Sequence, residues 1–420
     1  MRLDEFLEGF EPDEAAERRR LAQERSYGIT KYLADVEDRF VETIGDASSF
    51  GSTAPEIFVG RYGYPSVNAG ILSPVGQEEQ AAEFRTDSAW YEANLEISDI
   101  VQRRSGLLNA RERVDVNVAD AWDGDIGVQR EVAMAAEPVD VEVDLIDRPA
   151  FTLELDGEQV PPIGPTAGAR SMVLGENPRV PRPVEKAVDD DDWTATGAMA
   201  YLYRRGLDVY EIKSVLSAGT LGIPDQRKLV PTRWSITAVD DTIGEYLRGR
   251  VRNAPSVDET TVHYNEYVGN HYWIITSPGQ WEYELVEMKG PGSVWNPDQG
   301  THWIGSAYEG ATGRTSYVDE TAGAYYAARL AVLEHLVDIG RQAKVLVLRE
   351  VTDDYWAPVG VWQVREAVRD AFVADGAVAE SFDDAATKVL ERLPLPPDRI
   401  RRKSTLLTGR QADLLDFLDR

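Results

Sequence analysis

The residues of this chain best suited to chemistry are carboxylates set beside cations. Trp281, Tyr283, Leu285, Glu287 and Lys289 recur with period 2, so a strand over them places a carboxylate and an ammonium on a face that continues an aromatic, apolar stripe. A Glu-x-Lys at a strand end with an upstream Asp is the skeleton of a metal-dependent nuclease. There two carboxylates hold Mg²⁺, and the Lys stabilises the attacking water or the developing charge. The upstream acids are Asp240 and Asp241, preceded by Arg233, in the block KLVPTRWSITAVDD (Lys228–Asp241). Reading Arg233 to Val239 as a strand puts Trp234, Ile236 and Ala238 on one face and both Asp at the corner where a helix to about Val251 begins. Two uses of these residues compete. Asp240 can cap that helix while Asp241 complements its dipole, with Glu287 and Lys289 as a strand-end ion pair. Alternatively, Arg233, Asp240, Asp241, Glu287 and Lys289 form a metal- or phosphate-handling site.

A second constellation lies in the last residues, GRQADLLDFLDR. Gln411, Leu414, Phe417 and Leu418 fit the pattern Q-x-x-h-x-x-a-a of peptides that dock on the replication sliding clamp, with Leu in the last aromatic position. In a 3₁₀ turn residues three apart eclipse, so Leu414 and Phe417 would form one apolar plug beside Leu418, preceded by Gln411. The competing use is a C-terminal amphipathic helix packed on its own domain. His263 and His271 flank a hairpin that pairs His263 with Thr276, which puts the two imidazoles on opposite faces and prevents joint chelation. Trp295, Trp303 and Tyr308 sit in a Gly-rich stretch, Gly290–Ser316, where they would stack on unpaired bases or plug the loop. The chain has no GxxxxGK[ST], HExxH, GxSxG or helix-opening GxGxxG, which argues against an ATPase motor or a common hydrolase.

The elements that would position these groups alternate between helix and strand. Asp13–Glu42 is charged and periodic as a helix, and Ser48–Thr53 reads as a Ser/Gly linker. Pro55–Pro74 is a strand-turn stretch, Leu107–Val118 is extended, and Gly127–Ala136 is helical. VDVEVDLI (Val139–Ile146) alternates as a half-buried strand does. Helices fill Asp189–Ser217. Val262–Val268 and His271–Ser277 make a hairpin about Gly269–Asn270, followed by the strand Trp281–Lys289. Asp319–Ile339, Trp362–Phe372 and Asp383–Leu393 read as helices around a buried strand, Val345–Glu350. Pro394–Pro397 would end the globular part. The sum is an α+β fold, mixed helices and sheets in two packed parts split near Gly290–Ser316, with a flexible C-terminal tail.

Composition sets the setting. The chain's 420 residues carry 73 acidic against 44 basic side chains, a net charge of −29, and only 8 of the basic residues are Lys. Such self-repulsion costs stability in dilute buffer but is screened in multimolar salt, where the Debye length falls to about 3 Å at 1 M. The composition therefore predicts a halophilic protein. Zero Cys excludes disulfides and a Cys-based zinc site. No apolar run of spanning length and no signal-peptide pattern is present, so the expectation is a cytoplasmic protein without a membrane partner.

The block Lys228–Asp241 closely resembles the signature of the archaeal Nre family of DNA-repair proteins. So do FVGRYGYPSVNAG (Phe58–Gly70), LGENPRVPRPVEK (Leu174–Lys186), LSAGTLG (Leu216–Gly222), ARLAVLEHL (Ala328–Leu336) and VREAVRDAF (Val364–Phe372), in the family's order. The resemblance implies a helical segment over 1–52, an N-terminal Nre domain over 53–290, a C-terminal one over 291–395 and a tail over 396–420. It implies a role in DNA damage repair, with the PCNA clamp, DNA and other repair proteins as partners, and a PCNA-interacting peptide that Gln411–Leu418 matches. Many members also carry an N-terminal Cys-x-x-Cys zinc module, which is absent here, so no zinc is carried over. Two readings of the core remain beside that one, a nuclease using Mg²⁺ and a non-catalytic adaptor.

Overall fold

Two six-stranded sheets, each lined by its own core, make this an α+β fold. The computed structural model describes residues 34–43, 49–149, 164–291, 293, 296 and 300–408. The first sheet comprises β1 (Ser49–Ala54), β2 (Glu56–Val59), β3 (Ser66–Ser73), β4 (Leu108–Asp115), β5 (Val139–Leu145) and β6 (Thr166–Leu174), in the order β1-β5-β6-β4-β3-β2. Only β4 and β6 run parallel. Period-2 burial appears as expected in β5, which turns Val139, Val141, Val143 and Leu145 inward and Asp140 and Glu142 outward. Helix α1 (Ile97–Ser105) joins the second core, while α2 (Gly124–Met134) lays Val128, Val132 and Ala133 on the first.

The stretch read as a Ser/Gly linker is instead β1, paired antiparallel with β5 from Ser49↔Asp144 to Ala54↔Val139. Its inward residues are Phe50, Ser52 and Ala54, so the alternation is real but written in small residues with little hydrophobic contrast. Phe50 meets Phe40 of the preceding helical segment edge-on, at 6.4 Å between ring centres. The folded body therefore extends upstream of residue 53.

Helices α3 (Ala195–Arg204), α4 (Val209–Ser217) and α5 (Thr232–Val251) bridge to the second sheet. That sheet contains β7 (Thr260–Tyr267), β8 (Asn270–Ser277), β9 (Glu282–Lys289), β10 (Trp303–Glu309), β11 (Lys344–Val351) and β12 (Ala377–Ala379), ordered β10-β9-β11-β8-β7-β12. Interleaved and following are α6 (Ala322–Asp338), α7 (Trp362–Ala371), α8 (Phe382–Leu390), α9 (Pro397–Arg401) and α10 (Thr405–Thr408). One face of the sheet, with Ile274, Tyr283, Leu285, Val345 and Val347, shares a core with α3 to α7. The opposite face, with Ile275, Val286, Met288, Leu346 and Leu348, packs on α8 to α10. Covering both faces explains why β11 reads as an unbroken apolar run.

Three expectations change here. The β7–β8 hairpin turns at Val268 and Gly269, both at positive φ, so His263 pairs with Ile274 rather than Thr276. The shift is by two residues, and the two His stay on opposite faces. The Gly-rich stretch after Gly290 contains β10, whose Trp303 pairs with Lys289, so the second sheet is continuous across the anticipated seam at 290/291. Lastly, the folded chain does not stop at Pro394–Pro397. Leu395, Ile400 and Leu407 bury against the second sheet, carrying the packed structure through Thr408. Among the described residues no helix is long and apolar enough to cross a membrane.

Candidate functional site

Arg233, Asp240 and Asp241 lie on a helix, not on a strand with a corner. Helix α5 buries Ser235, Val239, Ile243, Leu247 and Val251, a strict four-residue spacing. The apparent alternation of Trp234, Ile236 and Ala238 is a coincidence of a short window, in which β-branched residues mimic a strand. Pro231 opens the helix, so Asp240 sits in its interior and neither Asp is an N-cap. At 1.5 Å per residue, Arg233 is about 10 Å along the axis from Asp240.

Each predicted acid is taken by a different arginine. Asp240 is wholly buried, and Arg365 of α7 donates to both its oxygens, Nη2 to Oδ1 at 2.5 Å and to Oδ2 at 2.6 Å. Burial pushes the Asp240 carboxyl up from its ordinary range, and Arg365 pulls against that. Asp241, half exposed, accepts from Nη2 of Arg329 in α6 at 2.6 Å. Its carboxyl is likewise raised by burial, against the pull of Arg329. Arg329 also reaches Glu245 at 3.2 Å and Glu309 at 2.8 Å, and Glu309 accepts the indole N–H of Trp281 at 2.9 Å. Glu287 of β9 pairs with Arg349, its register neighbour on parallel β11. Arg349 donates in turn to Asn270 Oδ1 at 2.7 Å.

The structure thus brings together Glu287 and Lys289, as a 3.4 Å ion pair, and does not gather them with Asp240 and Asp241. Lys289 lies over the Trp303 ring, 3.9 Å from its centre. Among the described residues no group of three or more His, Asp or Glu is placed to hold a metal ion. Of the loop aromatics, Trp303 and Tyr308 belong to β10, where Tyr308 donates to Glu282 at 3.1 Å; Trp295 lies outside the described residues. Sequence reasoning missed Arg329, Arg349 and Arg365, the groups that decide what the acids do. Arg329 and Arg365 lie inside two of the sequence blocks, ARLAVLEHL and VREAVRDAF, but nothing local in those blocks points to the acids they meet.

The C-terminal motif, Gln411, Leu414, Phe417 and Leu418, lies outside the described residues. The chain leading to it is clasped by Glu284, a buried carboxylate of β9. Glu284 accepts the Ser404 hydroxyl at 2.7 Å and the backbone N–H groups of Thr405 and Leu406 at 2.8 Å each. A side chain 120 residues upstream therefore supplies the partners that the first turn of α10 cannot find within itself. Two of the sequence blocks also meet, since Val59 N–H at the end of β2 donates to Thr232 Oγ1 on α5 at 2.9 Å.

Comparison with known proteins agrees with the blocks. The family model described as archaeal Nre, N-terminal, matches residues 21–296, and archaeal Nre, C-terminal, matches 309–417. The chain is 56% identical to the DNA repair protein NreA of Haloferax volcanii over 99% of its own length and 100% of that protein. It is 38% identical to the DNA repair protein NreA of Archaeoglobus fulgidus, covering 90% of this chain and 93% of the relative. Identity to that organism's DNA repair protein NreB is 35%, over 88% and 91%. No solved structure matches. With both family models spanning most of the sequence and a relative aligned from end to end, the chain belongs to the archaeal Nre family.

Proposed function

We propose that this chain is a DNA damage repair factor recruited to the PCNA sliding clamp by Gln411, Leu414, Phe417 and Leu418. The observation that carries the reading is the spacing of that motif, which begins three residues after Thr408. The names of the relatives support the repair role. The Glu284 clasp is consistent with the recruitment, because it fixes the chain to the second sheet at Ser404–Leu406, a few residues before the motif in sequence. The composition supports a cytoplasm of high salt as the working environment. Deleting Gln411–Arg420 is expected to abolish clamp binding by calorimetry in high salt and to leave the melting temperature unchanged. An unchanged affinity would refute the recruitment.

For the core, the adaptor reading is favoured over the nuclease by one observation. Arg365, Arg329 and Arg349 stand where a nuclease would place its cation, on Asp240, Asp241 and Glu287. The expected result is that Mg²⁺ elicits no cleavage of branched or damaged DNA that Glu287→Ala removes. Cleavage that is lost in that variant would restore the nuclease.

A further inference from the structure

Among the described residues five large aromatic side chains are exposed, and four of them, Tyr62, Tyr64, Trp234 and Tyr317, fall on one surface. It forms where the β2–β3 loop meets the first turn of α5, at the Val59–Thr232 bond. Tyr62 is 69% exposed, Tyr64 47% and Trp234 45%. The Tyr64 and Trp234 rings lie 5.3 Å apart, tilted at 49°. Arg61 covers the Tyr62 ring at 5.1 Å. Arg113 reaches across from β4, donating to Ser66 Oγ at 2.9 Å, and passes beneath Gly63. A Cβ at Gly63 would sit 2.2 Å from the Arg113 Nη2, and its φ is +83°, so only glycine lets the guanidinium under the loop. Arg233, exposed beside Trp234, lies within the electrostatic reach of Arg61, Tyr62 and Tyr317.

Cations clustered among exposed rings are out of place on a chain of net charge −29. Had these rings only a packing role, burial would be their favourable state. Planar rings interleaved with guanidinium planes match a ligand that alternates flat bases with phosphates. A duplex hides the faces of its bases, whereas a single strand offers them. In strong salt the phosphate contribution falls steeply, while stacking persists, so a halophile's strand-binding surface should be rich in rings. We propose that Tyr62, Tyr64 and Trp234, with Arg61, Arg113 and Arg233, bind single-stranded DNA. This rests on the DNA-repair reading above and adds to it the strand-binding surface.

The test is fluorescence anisotropy of the full chain with a fluorescein-labelled oligothymidylate of about 20 nucleotides, the span of one or two strand-binding grooves, in roughly molar KCl. Each lost stack is expected to weaken binding about tenfold, so Tyr62→Ala with Trp234→Ala together should weaken it about a hundredfold. Tyr62→Phe and Trp234→Phe keep the ring and are expected to retain binding, which separates stacking from misfolding. A double Ala variant that binds like the unaltered chain overturns the proposal. So does a duplex, or an RNA of the same length, held as tightly as the DNA strand. Clamp affinity measured on the same variants is expected to stay unchanged. If the clamp fails to bind any form of the chain while the DNA result holds, the recruitment reading falls and this one stands.

Discussion

Arg329 shows how the core uses charge. It is about 1% exposed and shared by Asp241, Glu245 and a fully buried Glu309, with Trp281 completing the hydrogen bonds of Glu309. Removing one partner of a buried pair leaves the other charge desolvated and alone. Arg329→Met is therefore expected to cost about 3–5 kcal/mol, read as a fall in the denaturant midpoint. Gly244 is what lets the guanidinium reach across α5, since a Cβ there would lie 2.9 Å from Arg329 Nη2. Gly244→Ala should be destabilising by about 1–3 kcal/mol, the usual cost of overpacking. A second, half-buried group gives a pH signature. His335 stacks on Phe372 at 4.0 Å, and its pKa is pulled down from 6.5 to about 4 by burial and by neighbouring His263, with Asp338 opposing. The folded state then binds fewer protons than the unfolded chain between those values. Stability from this site is full above about pH 6.5 and lost as pH falls through about 4. His335→Leu should flatten that part of the melting-temperature profile, and an unaltered profile would sink the assignment. None of these partnerships was legible beforehand. The Glu287–Lys289 pair could be read because its members are two positions apart, but Arg365 is 125 residues from Asp240.

At the level of elements, legibility followed hydrophobic contrast. β5 and the β7–β9 run were readable because large apolar residues alternate with polar ones or fill whole strands. β1 was not, because its inward face is partly Ser and Ala. Helix α5 was misread in its first half because Ile236, Thr237 and Val239 favour strands locally, and only the longer Val239-Ile243-Leu247-Val251 stripe betrays the helix. The parallel contacts β4–β6 and β9–β11 depend on distant segments and leave no local mark. The end of the folded chain was misplaced for the same reason, since Glu284 acts on α10 from 120 residues away. Glu284→Ala should strand the Thr405 and Leu406 N–H groups and cost about 1–3 kcal/mol. Hydrogen exchange at those two amides is expected to accelerate. Amides that remain as protected as before would remove the clasp from the account.

Across the whole molecule the charges divide into two populations with different responses to salt. Arg329, Arg365 and Arg349 sit at 1–5% exposure against buried or half-buried acids, and the Lys213–Glu56 pair that ties α4 to β2 is equally enclosed. Ions in solution screen such pairs little. Most acids among the described residues are exposed instead, and on a chain of net charge −29 they repel one another across the surface. That repulsion is short-ranged at 1 M, where the Debye length is about 3 Å, and long-ranged at 0.01 M, where it is about 30 Å. Lowering KCl below roughly molar should therefore lower the melting temperature progressively. The core pairs should not contribute to that slope. Arg329→Met is thus expected to shift the whole curve of melting temperature against KCl downwards without changing its steepness. A wild-type curve indifferent to KCl would end the halophile reading of the composition. A variant whose slope differs from that of the parent would show instead that salt acts through the buried arginines, and the division between a salt-insensitive core and a salt-dependent surface would fail.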